Sequence, residues 1–517
     1  MDPPQDPEER ERMQRQFEEH ASTFNVHLKF PANVTSSDAN KPLRTSTDLI
    51  QIRLLEAGIS YEEPQPVAYA AERLSRFVNK MQQTGCFETV KVEIDQATDQ
   101  LLESPDSTGP HQSLNVLLKE KNWYRLYVGG GLRNDMQGES GQGGNLLAKT
   151  QFETTGGLTN ITGHLDTTAL QYTVDATSNS RWDFQHVRPL DSIAPELLQY
   201  YMDAGNYSLG IYAALDSLDY EWTRSYKERQ RKLSMRISNH GQIRNPEMAP
   251  ETYVGLEWSW LFRDILPRRH SSLPYALDAS PEIAKQSGPS EKNSISLEYR
   301  TNGEYCDSKF NPTQGLDHYS MIELAGPPGD VGFIKAQGGV SAHLPILPRF
   351  LSLHGSIQAG LLHSLTFGGA CQPATVSDRF HVGGPLQLRG FTPAGIGPRT
   401  KTGSDTAPQG DSLGGEFFYT ATVAASMTTQ SLDKYGIRFM AFGNLGSLTG
   451  SPLASRMSGA AAPSWMAVAK STRASAGLGV TAGLPMGRVE ATYAWPLRYG
   501  PRDVRRNVQF GLGFSFG

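Results

Sequence analysis

One tetrapeptide carries the clearest capacity for specific recognition, and it consists of Leu388, Arg389, Gly390 and Phe391. It lies in DRFHVGGPLQLRGFTPAGIGPR (residues 378–399), whose glycines and prolines predict a turn-rich loop rather than a strand. A guanidinium binds a carboxylate through two parallel hydrogen bonds, so Arg389 can fix such a loop in one place. The tetrapeptide alone also fits an exposed hairpin with an incidental arginine. Its flanks, GGP before it and GDSLGGEFF (residues 410–418) after it, favour a dedicated loop.

Residues typical of covalent or metal chemistry are not arranged for it. The twelve histidines are scattered and no H-E-x-x-H helix occurs, so a β-rich hydrolase is the weaker alternative. Cys86, Cys306 and Cys371 form no C-x-x-C pair, which favours three unrelated thiols over a disulfide framework or a zinc site. We therefore expect no enzyme activity, no cofactor and no bound metal. The net charge of -5 gives no electrostatic reason to expect a nucleic-acid partner.

The segments around this loop alternate between apolar and polar residues, as strands do. At the C-terminus, NVQFGLGFSFG places its large apolar residues on one face and Gln509, Gly511, Gly513 and Ser515 on the other. Residues 351–361 and 488–495 repeat the pattern. No run approaches the roughly 18 apolar residues of a transmembrane helix, so the chain is soluble or a β-barrel. A polar face of small and hydrophilic residues is typical of a barrel interior.

Spacing and composition divide the chain into three parts. Residues 1–22 form a charged tail, residues 23–121 a small α+β domain of order β-α-α-β-β, and residues 122–517 a barrel of roughly 15–18 strands. The polar tracts 264–293 and 399–412 are predicted to be long loops. The tail matches neither an apolar secretory signal nor an acid-poor transit peptide, which favours a eukaryotic protein or a shortened chain.

Several segments, in their order along the chain, resemble one family. TGCFETVKVEID (residues 84–95) resembles the end of its POTRA (polypeptide-transport-associated) domain, and the Arg389 segment resembles its sixth loop. GDSLGGEFFY, FMAFGNLGSL and NVQFGLGFSFG resemble its last strands. The family is the central barrel subunit of the mitochondrial sorting and assembly machinery, in the BamA-like outer-membrane insertase superfamily (bacterial surface antigen family). The resemblance implies a transmembrane antiparallel β-barrel of sixteen strands preceded by one POTRA domain.

The resemblance also implies an arrangement for the loop. In the family the loop folds into the lumen, and its arginine pairs with an acidic group on the barrel wall. Glu416 is the candidate partner of Arg389 in this chain. Related bacterial barrels carry an aspartate on the following strand, where this sequence has Ala441 and Asn444 instead. That departure puts more weight on Glu416. Residues 299–315 follow the family pattern only loosely, and no role is assigned to them.

The implied function is insertion and folding of β-barrel precursors through a lateral gate between the first and last barrel strands. Precursors of this family end in a signal of a polar residue, a spacer, glycine and two later hydrophobic residues. The same signal ends this chain, and we interpret it as the chain's own assembly signal and one side of the gate. The candidate gate residues are Tyr124, Leu126, Tyr127 and Val128 in the first strand, and Gln509, Gly511, Phe514 and Phe516 in the last.

The remaining implications concern location and partners. We expect the barrel in the mitochondrial outer membrane and the POTRA domain in the intermembrane space. The expected partners are β-barrel precursors, peripheral subunits of the sorting and assembly complex, and the lipid bilayer. A passive porin-like channel and a protein-secreting barrel of the same superfamily are the alternatives. For the POTRA domain, precursor binding and a purely supporting role stand equally open.

Overall fold

The computed structural model describes fifteen stretches of the chain, and every structural statement below refers to them. The predicted charged tail, residues 1–22, and the gate residue Phe516 lie outside these stretches. The described residues are 25–37, 41–59, 65–96, 111–132, 150–175, 179–193, 207–239, 252–270, 277–301, 306–308, 311–348, 350–401, 407–450, 465–484 and 487–514.

Four strands and two helices form a small α+β unit at the N-terminal end. The sheet order is β2-β1-β4-β3, with β1 and β4 parallel. Ile50, Leu54, Phe77 and Met81 of the two helices are buried against this sheet. No helix in the described stretches is long and apolar enough to cross a membrane. The elements are β1 (Asn25–Ser36), α1 (Thr47–Glu56), β2 (Gln65–Pro66), α2 (Val67–Gln83), β3 (Phe87–Gln96) and β4 (His111–Glu120).

The predicted order of elements is confirmed with one addition. The sequence predicts that the second helix starts at Pro66, whereas that proline belongs to the two-residue strand β2 and the helix begins at Val67. Proline lacks a backbone N–H, which suits it to a short edge strand such as this one.

Sixteen further strands form one antiparallel sheet, in sequence order, that is the wall of a β-barrel. The expected number of strands is therefore confirmed. The strands are β5 (Tyr124–Leu132), β6 (Thr150–Thr159), β7 (Thr167–Asp175), β8 (Ser180–Pro189), β9 (Ser208–Asp219), β10 (Tyr226–Ser238), β11 (Thr252–Pro267), β12 (Gly288–Thr301), β13 (Gly315–Gly326), β14 (Phe333–Leu347), β15 (Leu351–Ser364), β16 (Phe417–Met427), β17 (Ile437–Thr449), β18 (Arg473–Leu484), β19 (Gly487–Arg498) and β20 (Val508–Phe514).

Apolar and polar residues, which alternate along the strands, lie on the outer and lumenal faces of this wall respectively. Val508 and Phe510 are exposed on the outside, whereas Gln509 and Gly511, which alternate with them, are buried toward the lumen. The prediction of a long loop over 264–293 is partly wrong, because β11 extends to Pro267 and β12 begins at Gly288. Arg263 and Lys292 of these two strands contact Asp378 in the lumen, so their charge did not indicate a loop.

A turn of the barrel inserts into the N-terminal unit. Leu165, between β6 and β7, belongs to the same buried apolar cluster as the two N-terminal helices. Asn160 Nδ2 donates a hydrogen bond of 2.7 Å to Thr45 Oγ1, and Ser46 N donates one of 2.9 Å to the Gly163 carbonyl. These contacts join the unit to a hairpin that neighbours the first barrel strand.

Candidate functional site

The connection between β15 and β16, residues 365–416, folds into the barrel lumen. Its described residues, 365–401 and 407–416, contain no long strand, as the sequence predicts, and isolated bridges and turn hydrogen bonds pair their backbone. Its apolar side chains Val382, Leu388 and Phe391 are fully buried in a cluster that includes Phe418 and Leu448 of the wall. We call this connection the lumenal loop.

Arg389 of the lumenal loop is held by a carboxylate on the penultimate strand. Its Nε lies 2.5 Å from Glu490 Oε1 and its Nη2 lies 2.9 Å from Glu490 Oε2, which is the two-pronged geometry expected of a guanidinium–carboxylate pair. Arg488 Nη2 donates a second hydrogen bond, of 2.9 Å, to Glu490 Oε2. The Arg389 guanidinium also lies 5.0 Å from the ring centroid of Phe442. Glu490 is completely buried, so its charge depends on these two arginines.

The proposed partner of Arg389 was therefore wrong, because Glu490 occupies the place expected for Glu416. Glu416 lies at the end of the loop, where its backbone pairs with Leu362 and Thr449. The second position that the sequence singled out, Asn444, is buried and lies 3.5 Å from Ser475 Oγ. Only one carboxylate, on β19, therefore contacts Arg389 among the described residues.

The backbone of the tetrapeptide is tied directly to the last strand. Gln509 Oε1 accepts a hydrogen bond of 2.8 Å from Gly390 N, and Gln509 Nε2 donates one of 2.7 Å to the Phe391 carbonyl. Ser475 Oγ of β18 donates one of 2.5 Å to the Arg389 carbonyl. The loop thus bridges β18, β19 and β20 through both side-chain and backbone atoms.

Two glycines allow this close approach. Gly390 has a φ of +88°, and a Cβ there would lie 3.2 Å from Ser475 Cβ and 3.3 Å from Ala494 Cβ. A Cβ at Gly511 would lie 3.1 Å from Leu386 Cδ2 of the lumenal loop. Any larger residue at either position would push the loop away from the wall.

A second ionic contact holds the start of the loop on the opposite part of the wall. Asp378 accepts hydrogen bonds of 2.9 and 2.6 Å from the two terminal nitrogens of Arg263, and the pair is almost fully buried. Lys292 Nζ lies 3.5 Å away. Burial raises the pKa of Asp378, but the nearby positive charges of Arg263 and Lys292 outweigh it and hold the pKa well below its usual range. The sequence did not single out this contact.

The lumenal loop also contains the letters of an enzymatic motif. Residues 410–414 read GDSLG and match the letters of the nucleophile motif G-x-S-x-G. Ser412 is fully buried and lies on the loop rather than at a strand-to-helix elbow. His381 Nδ1 is 3.2 Å from Ser412 Oγ, but its Nε2 donates to the Val376 carbonyl rather than to a carboxylate. The pair therefore lacks the third group and the access that a hydrolase needs.

The candidate gate strands lie at the two edges of the sheet. No hydrogen-bonded ladder joins β5 to β20 in the stretches that the structure describes. Tyr124, Leu126 and Val128 share one face of β5 and are 60%, 72% and 58% exposed. Tyr127 points to the other face, where its ring lies over Gly129. In β20 the backbone of Phe514 pairs with Gly487, whereas Gln509 and Gly511 contact the loop.

No group of three or more metal-ligating side chains comes together within the described stretches. Contacts of the loop are instead ionic, amide and apolar. These contacts hold the loop against the barrel wall at several points.

A family model described as the Omp85 superfamily domain matches residues 159–516. The chain belongs to the Omp85 superfamily. The match spans most of the barrel, including the lumenal loop and all the residues that contact Arg389.

Relatives with established names share parts of this Omp85 chain. A SAM50-like protein of Schizosaccharomyces pombe is 30% identical over 244 residues, which are 46% of this chain and 47% of the relative. The sorting and assembly machinery component 50 homolog of Mus musculus is 32% identical over 142 residues, 27% of each chain. The sorting assembly machinery 50 kDa subunit of Saccharomyces cerevisiae is 28% identical over 170 residues, 32% of each. The matched parts therefore span about half or less of each relative.

A solved structure shows the same fold. BamA from Haemophilus ducreyi lacking POTRA domains 1–3 superposes with a TM-score of 0.67 at 15% sequence identity. The superposition covers 94% of this chain and 84% of the BamA chain. The barrel together with its small N-terminal unit is thus the fold of an Omp85 protein.

Proposed function

We propose that this Omp85 protein inserts and folds β-barrel precursors in the mitochondrial outer membrane. The observation that carries the proposal is the pair of edge strands, β5 and β20, which no ladder joins among the described residues. An unpaired edge presents backbone donors and acceptors on which another strand can add. The names of the partly matching relatives, which refer to sorting and assembly machinery, support this direction.

The gate is proposed to work by exchange of strands. The last strand of a precursor pairs with β5, further hairpins add behind it, and the finished barrel separates from the seam. Each step exchanges backbone hydrogen bonds and apolar surface, so the cycle needs no covalent chemistry and no nucleotide. Tyr124, Leu126, Tyr127 and Val128 form the receiving side.

The lumenal loop supports one side of this gate. Gln509 and Gly511 of β20 contact the loop, and both belong to the chain's own terminal signal. Phe514 and Phe516 complete that signal. We propose that the Arg389–Glu490 pair fixes the loop, and that the loop in turn fixes the position of β20 while β5 receives a precursor.

The N-terminal unit, residues 23–121, is proposed to be a POTRA domain that faces the intermembrane space. Its contact with the turn between β6 and β7 supports a fixed position beside the receiving strand. Precursors are proposed to add to its sheet edge before they reach the gate. Peripheral subunits of the sorting and assembly complex are the expected partners.

Reconstitution tests the function directly. The purified protein in vesicles is mixed with an unfolded β-barrel precursor, and folded precursor is measured by its heat-modifiable migration and protease resistance. We expect assembly well above that of empty vesicles, a loss of this gain in Arg389→Ala, and no change in Lys434→Gln, which removes an exposed charge far from the loop. Assembly no faster than in empty vesicles, with ion conductance, would show a porin. Precursor released inside the vesicles would show a secreting barrel.

A further inference from the structure

The outward row of β10 changes along its length from apolar to positively charged residues. Leu233, Met235 and Ile237 at one end of its outward row are 45%, 42% and 40% exposed, as lipid-facing residues would be. The same row continues with Arg231, Arg229 and Lys227, all exposed. The charged half of the row lies at the end of the barrel opposite the N-terminal unit, because β5 starts beside that unit and successive strands alternate in direction.

The register of the sheet gives the height of these charges. Arg231 lies between Leu215 of β9 and Phe262 of β11, and Leu215 in turn faces Trp182 of β8. Arg229, two residues nearer the barrel end, lies between Ser217 and the polar Asp264. Exposed aromatic residues mark the level of the lipid headgroups in membrane proteins. Arg231 therefore lies at the level of the lipid headgroups, and Arg229 lies beyond it, nearer the end of the barrel.

Neither arginine has a partner in the described part of the protein. Lys227 lies 3.5 Å from Asp219 and 3.8 Å from Glu221, so its charge is balanced locally. Arg229 and Arg231 make no ion pair and no side-chain hydrogen bond among the described residues, although Asp264 lies opposite Arg229 in the register. An unbalanced guanidinium on a lipid-facing wall is unfavourable unless it reaches the polar headgroups.

We propose that Arg229 and Arg231 bind the phosphate of an anionic phospholipid at this end of the barrel. Residues two apart on a strand lie roughly 7 Å apart on one face, so both guanidiniums can reach one phosphodiester group. The planar guanidinium matches phosphate oxygens in a bidentate fashion. Phe262 stacks on Trp260 with ring centroids 5.4 Å apart, and this apolar surface next to Arg231 suits an acyl chain. An anionic headgroup is favoured over phosphatidylcholine because it brings no positive charge to the arginines.

The whole protein in nanodiscs of phosphatidylcholine with a minor fraction of phosphatidylglycerol tests this site. Lipids that stay bound after transfer to detergent are identified by native mass spectrometry. We expect wild-type protein to retain phosphatidylglycerol preferentially. Loss of each arginine should lower that preference roughly fivefold, and loss of both roughly 25-fold.

The matched variants are Arg229→Gln with Arg231→Gln, Arg229→Lys with Arg231→Lys, and Lys434→Gln. The lysine pair keeps the charge and should retain most of the preference, whereas Lys434→Gln, at the other end of the barrel, should behave as wild type. Heat-modifiable migration confirms that each variant is folded. Equal retention of both lipids by wild type, or unchanged preference in the glutamine pair, would overturn the proposal. If the glutamine pair keeps the lipid preference but no longer binds a peripheral subunit, the arginines instead contact a protein partner.

Discussion

The buried contact of the lumenal loop predicts unequal effects for its two members. Glu490 is bonded by both Arg389 and Arg488. Arg389→Ala removes one positive charge but leaves Glu490 bonded to Arg488. Glu490→Ala leaves the buried guanidinium of Arg389 and the partly exposed guanidinium of Arg488 without their carboxylate. We therefore expect Glu490→Ala to release the loop more than Arg389→Ala does.

The magnitudes follow from the burial of the pair. Removing one partner of a buried ion pair costs about 3–5 kcal/mol, most of it from the charge left behind. Arg389→Ala belongs near the lower value, about 3 kcal/mol, because Arg488 still compensates Glu490. Glu490→Ala belongs near the upper value, about 5 kcal/mol, because nothing else in the contact is negative. These free energies correspond to increases in loop opening of roughly a hundredfold and a few thousandfold.

Thiol labelling measures loop opening. Leu388→Cys, placed in a protein without the three native cysteines, puts a thiol at a fully buried position of the loop. Its labelling rate in nanodiscs is proportional to the open fraction when the loop closes faster than the reagent reacts. The rate is compared among Arg389→Ala, Glu490→Ala, the double variant and Glu416→Gln.

The double variant distinguishes a contact from two separate effects. We expect it to open the loop less than the sum of the single variants, with a coupling of about 2 kcal/mol or more. Glu416→Gln combined with Arg389→Ala should give additive effects, since Glu416 does not hold Arg389. Additive effects of Arg389→Ala and Glu490→Ala, or a larger effect of Arg389→Ala than of Glu490→Ala, would refute the assignment.

Three further predictions concern other contacts of the loop and the N-terminal unit. Gln509→Ala should weaken docking of the loop by about 2 kcal/mol, because it leaves the buried Gly390 amide without its acceptor. It also removes one of two hydrogen bonds to the Phe391 carbonyl, which keeps the bond from Gly384 N. Gln509→Glu keeps an acceptor and should be intermediate, and unchanged exchange of the Gly390 amide hydrogen would contradict this. Gly163→Ala should detach the N-terminal unit, because Gly163 has a φ of +80° and a Cβ there would collide with the Arg44 carbonyl oxygen. Faster protease cleavage near residue 121 than in wild type is the expected result, and an unchanged rate would count against it. Burial, together with the charges of Arg224, Lys335 and Arg379, holds the pKa of His381 well below 6.5. The unfolded chain therefore takes up a proton below pH 6.5 that the folded loop does not, and stability should fall with decreasing pH by at most about 1.4 kcal/mol per pH unit. The apparent unfolding temperature of wild type and His381→Gln on both sides of pH 6.5 tests this, and an equal slope in both would disprove it.

The strands of the barrel could be predicted because lipid and lumen impose a period of two on the sequence. The last strand shows this best, since Val508 and Phe510 face outward and Gln509 faces inward as their alternation predicts. The number sixteen came from the family resemblance, because the spacing of segments allows several values. Glycines and prolines predicted a turn-rich loop over residues 378–399, whereas its position in the lumen came from the family resemblance.

The partner of Arg389 could not be read from spacing, because 101 residues separate it from Glu490 and the path of the loop across the lumen decides which wall it meets. The family resemblance pointed to Glu416, because the following strand carries Ala441 and Asn444 in place of an acidic residue. A usable signal was nevertheless present, since alternation in RVEATYAW (residues 488–495) already places Glu490 on the inward face of a strand next to the last one. A lone acidic residue facing inward there needs a positive partner.

The contact of Leu165 with the N-terminal unit had no sequence signal either. Leu165 lies in a short turn with a φ of +61°, and no periodic pattern surrounds it. Its burial depends on how the unit and the barrel meet, which is a property of the tertiary structure.

A disulfide scan across the seam tests the proposed insertase mechanism most directly. A single cysteine replaces Tyr127 in β5, in a protein without the native cysteines, and precursors carry single cysteines along their last strand. Disulfides form only when the Cα atoms approach within roughly 7 Å, so they report strand pairing. Cysteine at Ser234 of β10, which is paired on both sides, is the control. We predict crosslinks from position 127 in one strand register and none from position 234. Precursors that assemble fully without crosslinking to β5 would contradict the gate.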